Sequence, residues 1–450
     1  MKRRLTYGLV MVVLAANLAI GARLYLSSAE AAEKDSAYPN LELFSVVMEK
    51  IRKDYVDGKD TSYKELVYGA LKGMVNTLDP HSEFLDPEKY KELQNDTQGQ
   101  FGGLGIVVGV KDDFLTVIAP MEDTPGFRAG ILTGDRIIKI EGKSTERLST
   151  TDAVKILRGD PGTEVSITIQ RPSNGMTKEL RLTRAIINMD MAKDINGKKQ
   201  FPIGENKIGY VRLTQFGEKT ADELEVALKK LKKQEMQGLI LDLRGNPGGL
   251  LDQAVEVCEK FLPKGQLIVR TEGRNASQNS VRKSFGRGDE LHNLPMVVLV
   301  NFGSASAAEI VAGCLQDLKR AIVLGERTFG KGSVQSILPL QNGAALRLTT
   351  AKYYTPSHKV IHEHGITPDM EVAMSDEEER AAFLKRSAGG LESLDAKDRE
   401  TVEKLRDPQF DRAMDLLKGI RLFTQRAPAD EAPTPPAGKL AAKSGEALKR

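Results

Sequence analysis

The sequence predicts a multidomain α/β protein in which a helical amino-terminal region precedes the main core. Two apolar runs of strand length, 238–243 and the run that ends at Val300, each lead through a glycine-containing turn into a helical segment. That order of strand, turn and helix is typical of α/β folds. A chain of 450 residues is long enough for two or three domains with a sizeable core.

The charge balance argues against a nucleic-acid partner. The chain has 65 basic and 62 acidic residues, for a net charge of +3, and lacks a basic arm with interleaved aromatic residues. The two cysteines, Cys258 and Cys314, fall in helix-like segments and no Cys-x-x-Cys pattern is present. We expect two buried thiols there; pairing in an oxidising compartment is the alternative.

Residues 1–31 have the layout of an export signal. Lys2-Arg3-Arg4 precede an apolar stretch, 5–20, and Ala29-Glu30-Ala31 follow as a cleavage site. A positive start before an apolar run favours targeting over a buried helix. The segment is either a cleaved signal peptide or a retained membrane anchor. We therefore expect the protein outside the cytoplasm, in a periplasm or cell envelope, and attached to the inner membrane if the segment is kept.

Residues 40–97 are predicted to form a helical region. Its apolar residues recur at helical spacing, and the segment Leu78-Asp79-Pro80-His81-Ser82 interrupts the pattern. Such small helices cannot bury both faces alone, so they should pack on the core or on a second copy in a homodimer. His81 is interpreted as a turn or cap residue, because it lies far along the chain from the serine described below.

Residues 98–188 resemble a PDZ domain. Gly103-Leu104-Gly105-Ile106 is followed by Gly134-Asp135-Arg136-Ile137 in the order found in such domains. The first loop would present backbone N–H groups to a peptide carboxylate, and the next strand would accept the peptide by strand addition. Phe101 and Ile106 could line the pocket for an apolar last side chain. Arg158 is either a helix-terminal cation favoured by the dipole or a regulatory contact with the core.

The chemistry is predicted to lie in residues 300–335. Ser306 stands at a tight strand-to-helix entry, in a helix predicted over 304–317, with Ala305 and Ala307 leaving room for a substrate. Lys331 lies between two glycines, which allow the backbone to approach a partner. The alternatives are a helix-capping serine and a solvated loop lysine. We favour a serine activated by the lysine.

The glycine-rich run 244–249 lies at the entry to the helix predicted over 250–261. Unhindered backbone N–H groups there suit an oxyanion hole, with Gly248 or Gly249 as one donor and Ala307 as the other. The alternative is a helix cap whose glycines serve close packing.

These segments resemble the carboxyl-terminal processing proteases, a family of serine–lysine peptidases. The shared motifs are Gly-Ser-Ala-Ser-Ala-x-Glu around Ser306, Thr-x-Gly-Lys-Gly-x-x-Gln around Lys331, and Asp-Leu-Arg-x-Asn-x-Gly-Gly at 242–249. The resemblance implies that residues 189–375 form a crotonase-like ββα spiral core with the PDZ domain inserted. It also implies a nucleophilic Ser306, a neutral Lys331 as base, Gln335 orienting the lysine amine, and no cofactor.

The function expected is that of an exported serine endopeptidase that cleaves proteins near or from their carboxyl termini. A catalytically silent PDZ scaffold is the first alternative, but none of its expected replacements of serine, lysine or the glycine pair is present. A hydrolase of small esters or amides is the second, and the PDZ domain argues against it. His358, His362 and His364 could suggest a metal, but two histidines at i, i+2 without a third ligand rarely bind one.

The carboxyl terminus is predicted in two parts. Residues 376–425 are charged, with a helical stripe within 407–422 that needs a partner surface. Residues 426–450 are rich in Pro, Ala and Lys without aromatic residues, and should be a disordered tail.

Overall fold

A computed structural model describes Asn17, Ile20 and residues 37–426, except 58–60, 112–113, 122–123, 133, 147, 173, 205, 287–290, 388–390, 392–393 and 395. The predicted export segment and the predicted disordered tail therefore lie, but for those first two residues and Arg426, outside the described part. Among the helices that the structure does describe, none is long and apolar enough to cross a membrane.

The amino-terminal region consists of three helices and one short strand. Ser62 caps its second helix with a capping box to Glu65, and Asp86 caps the third, which begins with a proline. The first helix buries none of its side chains. The elements are α1 (Ala37–Asp54), α2 (Tyr63–Asn76), β1 (Glu83–Leu85) and α3 (Pro87–Gln98).

The chain enters and leaves the next unit through one antiparallel ribbon, so this unit is an insertion. It has its own hydrophobic core. Its sheet runs in the order β3-β4-β5-β7-β8, with β3 at an edge and β6 beside β5. The ribbon is β2 (Gln100–Gly103) and β9 (Ala185–Asn188), and between them lie β3 (Ile106–Lys111), β4 (Phe114–Pro120), α4 (Pro125–Arg128), β5 (Arg136–Ile140), β6 (Lys143–Ser144), α5 (Thr150–Leu157), β7 (Glu164–Arg171) and β8 (Met176–Thr183).

The main core combines two sheets with helices. One sheet runs β10-β11-β12-β15-β16-β19 and is parallel from β11 to β19; the other runs β1-β18-β13-β14, with β17 also paired to β18. The elements are β10 (Ala192–Lys193), β11 (Ile208–Leu213), α6 (Thr220–Lys233), β12 (Gly238–Asp242), α7 (Leu251–Glu259), β13 (Leu267–Gly273), β14 (Ser280–Lys283), β15 (Met296–Val300), α8 (Ala307–Asp317), β16 (Ile322–Gly325), β17 (Ser333–Pro339), β18 (Ala345–Tyr354) and β19 (Met370–Glu371).

This topology brings the predicted site segments together. Because β12 and β15 are parallel neighbours, their carboxyl ends meet, and the turns that follow them lie side by side. The amide of Ala305 donates to the carbonyl of Asn246 at 2.9 Å, which joins the two turns. β17 and β18 form a hairpin whose turn carries Asn342 at φ 63°.

The amino-terminal region is part of this architecture. Strand β1 pairs antiparallel with β18, and Phe84 packs with Val75 and Ala344 in a small separate cluster. The same strand β18 pairs with β17 along its other edge. The pairing of β1 with β18 therefore places the turn before β1 close to Lys331.

The carboxyl-terminal segment contains α9 (Asp376–Lys385), α10 (Ala396–Lys404) and α11 (Pro408–Arg426). The apolar stripe of α11 packs on the parallel sheet, where Ala413 and Leu417 contact Ile240 and Leu299. The buried guanidinium of Arg244 also donates to the carboxylate of Asp407 at 3.0 Å. The segment is therefore fixed to the loop that follows β12.

Candidate active site

Ser306 is held in a strained turn immediately before α8. Its φ of 56° lies in the left-handed region, which a non-glycine residue adopts only when the surroundings impose it. The helix predicted from 304 begins at Ala307, because Ser304 serves the turn instead: its hydroxyl donates to the Leu243 carbonyl at 2.8 Å. The turn thus fixes Ser306 against the loop after β12.

A buried carboxylate joins the serine to the lysine loop. Oε2 of Glu309 accepts from the backbone amides of Ser306, at 2.8 Å, and Lys331, at 2.9 Å. Oε1 accepts from the Gly330 amide at 2.7 Å and the Thr328 hydroxyl at 2.6 Å. Burial raises the pKa of Glu309, and these four hydrogen bonds oppose that effect. The two segments are therefore linked through a single side chain.

Tyr353 of β18 is a second link between the same two segments. Its phenol oxygen lies 3.0 Å from Oγ of Ser306 and also contacts the main-chain oxygen of Lys331. The ring is buried, and burial raises the pKa of Tyr353, so that the phenol keeps its proton at neutral pH. Tyr353 can therefore act as a hydrogen-bond donor and not as a base.

Lys331 is half-buried, and its amine has no hydrogen-bond partner in the part of the chain that the structure describes. Burial lowers the pKa of Lys331; Arg347 acts in the same direction, and Asp79 and Glu309 oppose it. The structure does not join the amine to Ser306, so the predicted dyad is not hydrogen-bonded in this state. A lowered lysine pKa is what a neutral base requires.

Gln335 offers an unpaired acceptor on the strand that follows the lysine. Its amide nitrogen donates to the hydroxyls of Ser333, at 3.1 Å, and Thr349, at 2.9 Å. Its Oε1 is buried without a hydrogen-bond partner among the described residues. The amide oxygen is therefore available to a donor such as the lysine amine.

The geometry separates the two glycines proposed for the oxyanion hole. The backbone amide of Gly248 already donates a hydrogen bond to Oδ1 of Asn246 at 2.9 Å. The amides of Gly249 and Ala307 have no partner in the described ranges. A Cβ on Gly248 would come within 2.7 Å of the Ser306 Cβ, so only glycine fits beside the serine. Gly249 and Ala307 are thus the available donors.

The prediction for His81 is half right. His81 does lie in a turn, whose amides at His81 and Ser82 donate to Oδ1 of Asp79, both at 2.8 Å. The distance along the chain was misleading, however, because the turn lies beside Lys331 in space. Burial and the charge of Lys331 lower the pKa of His81.

The other histidines are separated by the fold. His358 contacts the Glu272 carboxylate at 3.0 Å and stacks on Tyr354, whereas the backbone of His362 lies against Gly332 in the lysine loop. Within the described residues, no group of three or more His, Cys, Asp or Glu side chains could hold a metal ion.

The PDZ-like unit has a free sheet edge where a peptide is predicted to bind. Strand β3 pairs only with β4 among the described strands, and α5 lies beside it. The amides of Leu104 and Gly105 have no partner there, and Gly105 has a φ of 67°, with Thr124 so close that a Cβ would clash. The Leu104 side chain is buried in the unit's own core, so its backbone alone can serve the site.

Phe101 and Arg158 lie at the base of this unit. Phe101 pairs with Ile187 in the ribbon, and the Arg158 guanidinium stands 4.6 Å above its ring. The same guanidinium lies 3.8 Å from the Asp96 carboxylate of α3. Arg158 thus occupies the C-cap position of α5, and its side chain reaches the amino-terminal region. Among the described residues, Arg158 makes no ion pair with the core.

Sequence reasoning missed four residues that the structure places at the site. Tyr353 and Thr349 lie on a strand whose alternation gives no sign of which face meets the serine. Asp79 lies in a turn far along the chain. Glu309 carried a signal, since a carboxylate on the apolar face of a helix must be paired to be buried.

Comparison with known proteins gives consistent matches over most of the chain. Residues 207–372 match peptidase family S41, and residues 116–171 match the PDZ domain family. A carboxy-terminal-processing protease of Bartonella bacilliformis is 42% identical over 377 residues, with 83% of each chain covered. The carboxy-terminal processing protease CtpA of Bacillus subtilis is 35% identical over 352 residues, which cover 78% of this chain and 72% of that one.

One solved structure adds a weaker similarity. The photosystem II D1 C-terminal processing protease is 28% identical with a TM-score of 0.44, and the match covers 79% of this chain and 98% of that chain.

Proposed function

Because the chain belongs to the carboxy-terminal processing proteases of peptidase family S41 and is a serine-type peptidase, we propose that Ser306 and Lys331 form its catalytic dyad. The observation that carries this proposal is the pair of bridges between the two segments. Glu309 binds the backbone amides of both residues, and the Tyr353 phenol contacts both residues as well.

In the proposed reaction, Oγ of Ser306 attacks the scissile carbonyl while the neutral amine of Lys331 accepts the hydroxyl proton. The amides of Ala307 and Gly249 stabilise the oxyanion of the tetrahedral intermediate. On its collapse, the lysine gives the proton to the leaving amine and an acyl-enzyme remains. Water, deprotonated by the same lysine, then hydrolyses the ester and restores Ser306.

Gln335 supports the base in this scheme. Its unpaired Oε1 would accept a hydrogen bond from the lysine amine and direct the nitrogen lone pair towards the serine. The lysine side chain must move to come within reach of Oγ. Ligand-free active sites often lack hydrogen bonds that form only in the substrate complex.

The PDZ domain would select the substrate. The unpaired amides of Leu104 and Gly105 suit a free carboxylate, and the edge of β3 suits an extended peptide. Ile106, the first residue of β3 and partly buried against the unit's core, would line the pocket for an apolar last side chain. The substrates would be proteins cleaved near or from such carboxyl termini.

The remaining proposals concern the cellular location, the oligomeric state and the fold of the core. The export signal in the sequence supports a location in the periplasm or cell envelope, with inner-membrane attachment if the segment is retained. The exposed apolar residues of α1 support a homodimer through the amino-terminal region. The alternation of strands and helices in the core supports a crotonase-like ββα spiral.

The test is proteolysis by the purified chain of an unfolded protein, with the fragments identified by mass spectrometry. Ser306→Ala and Lys331→Ala should each abolish cleavage, and the double variant should be no worse, because residues that act as a unit are not additive. Lys359→Ala, which removes an exposed lysine paired with Asp317, is the matched control and should cleave normally. Normal cleavage by either active-site variant would refute the dyad.

A further inference from the structure

A chain of hydrogen bonds connects the amino-terminal region to the lysine loop. The amide of Gln335 donates to the Thr349 hydroxyl at 2.9 Å. The backbone amide of Thr349 donates to Oγ of Ser82 at 3.1 Å, and the two hydroxyls lie 3.4 Å apart. Oγ of Ser82 in turn donates to Oδ2 of Asp79 at 2.8 Å. The series runs from β17 through β18 to the turn before β1.

This series determines which way the Gln335 amide faces. A primary amide has two N–H groups, and those of Gln335 are both used, by Ser333 and Thr349. The oxygen must therefore point away from these hydroxyls, where it is buried and unpaired among the described residues. A buried unpaired acceptor is costly, so it favours a donor that enters the site.

The turn also places a carboxylate near the lysine. Burial would raise the pKa of Asp79, but hydrogen bonds from Ser82 and from the backbone of the turn hold it below its usual value. Asp79 and Glu309 raise the pKa of Lys331, while Arg347 lowers it. His81 also faces this group, with His362 close to it. Asp79 therefore acts on the lysine through charge as well as through the hydrogen bonds.

We propose that the Asp79–Ser82 turn is a positioning element for the general base, which acts through Thr349 to hold the Gln335 oxygen towards the Lys331 amine. This inference rests on the proposed dyad. It makes the amino-terminal region a part of the catalytic apparatus, because displacement of β1 from β18 would break the series at Ser82. Asp79 and Ser82 do not touch the substrate.

The test measures kcat, KM and the pH profile of purified full-length variants. Ser82→Ala and Thr349→Val should each lower kcat about tenfold, the factor that corresponds to roughly 1.4 kcal/mol, with KM little changed. Thr349→Ser keeps the hydroxyl and should retain activity close to that of the unsubstituted chain. Asp79→Asn weakens the hydrogen bond that holds Ser82, so its kcat should fall. It also removes the negative charge, so the rising limb of kcat/KM should move to lower pH.

The control is Ser62→Ala. It removes another serine of the amino-terminal region whose hydroxyl donates to a carboxylate, that of Glu65 at 2.7 Å, but which lies outside the series. This variant should keep its kcat. Thermal unfolding of every variant separates lost positioning from lost folding.

Unchanged kcat in both Ser82→Ala and Thr349→Val would overturn the inference. So would a loss of activity that follows only the loss of folded protein, or a loss in Thr349→Ser as large as in Thr349→Val. The proposed dyad is judged separately. If Ser306→Ala cleaves normally, the dyad itself is wrong; if Ser306→Ala is inactive and the turn variants are normal, only the positioning role is wrong.

Discussion

Oγ of Ser306 and the phenol oxygen of Tyr353 lie 3.0 Å apart, on opposite sides of the gap between α8 and β18. The phenol has one proton and also contacts the Lys331 carbonyl, which can only accept. The phenol hydroxyl donates to Oγ of Ser306 and also lies against the carbonyl, so its single proton serves both contacts. In this state Oγ of Ser306 accepts from the tyrosine, which leaves the serine proton for the base.

Tyr353→Phe should lower kcat/KM about threefold to tenfold, because the Lys331 carbonyl loses its partner, a change of about 0.5–1.5 kcal/mol for a neutral hydrogen bond. The position of the pH profile should not change, since a phenol with a raised pKa is not the base. A shift of the rising limb, or a loss beyond about a thousandfold, would show that the phenol takes part in proton transfer.

Glu309→Gln should inactivate the protein and destabilise it. The amide NH₂ that replaces one oxygen would face N–H groups where the carboxylate accepts, and each buried donor left unpaired costs about 1–3 kcal/mol. Thermal unfolding and cleavage are measured together. Glu256→Gln, on α7 outside the site, is the control. A Glu309→Gln variant with normal activity would contradict the bridging role.

Much of this architecture is local, and local features can be predicted from sequence. The strand within 238–243, the strand that ends at Val300 and the helix within 250–261 follow from apolar runs and glycine-containing turns, and the structure has β12, β15 and α7 at those positions. The serine and lysine motifs could be found because each is continuous in the chain. The need of α11 for a partner surface was equally visible in its apolar stripe.

The rest depends on tertiary contacts, which no single segment specifies. Which of Gly248 and Gly249 has an unbonded amide depends on the Asn246 side chain, which accepts from the amide of Gly248. The Asp79 turn reaches the lysine only because β1 adds to β18. A position far along the chain is therefore not evidence of a position far from the site.

The PDZ domain should distinguish free from blocked carboxyl termini. Peptides with an apolar last residue should bind the full-length Ser306→Ala variant, and amidation of their terminus should weaken binding by about 1.5–3 kcal/mol, the range for hydrogen bonds to a charged group. Titration calorimetry measures both forms. Gly105→Ala should abolish the difference, because its φ of 67° and the contact with Thr124 leave no space for a Cβ. Equal affinity for the acid and the amide would contradict carboxylate recognition.

The last prediction concerns the protonation of Lys331. An ordinary lysine, with a pKa of about 10.4, is almost wholly charged at neutral pH and cannot accept the serine proton. Burial lowers the pKa of Lys331, so the neutral fraction at a given pH is larger, and kcat/KM should rise with pH along a limb whose midpoint lies below 10.4. Arg347 lowers the same pKa, so Arg347→Met should move the limb to higher pH, opposite in direction to Asp79→Asn.

Lys331→Arg tests the base most directly, because it keeps the positive charge and removes the group that accepts the proton. A guanidinium stays protonated throughout the accessible pH range, so this variant should be inactive at every pH. Its thermal unfolding shows whether the fold is retained, and Lys359→Arg, on an exposed lysine, should remain active. Substantial cleavage by Lys331→Arg would show that another group takes the serine proton. His81 and His362 would then be the residues to replace, since His81 lies beside the lysine and the backbone of His362 lies against Gly332, whereas His358 is held by Glu272.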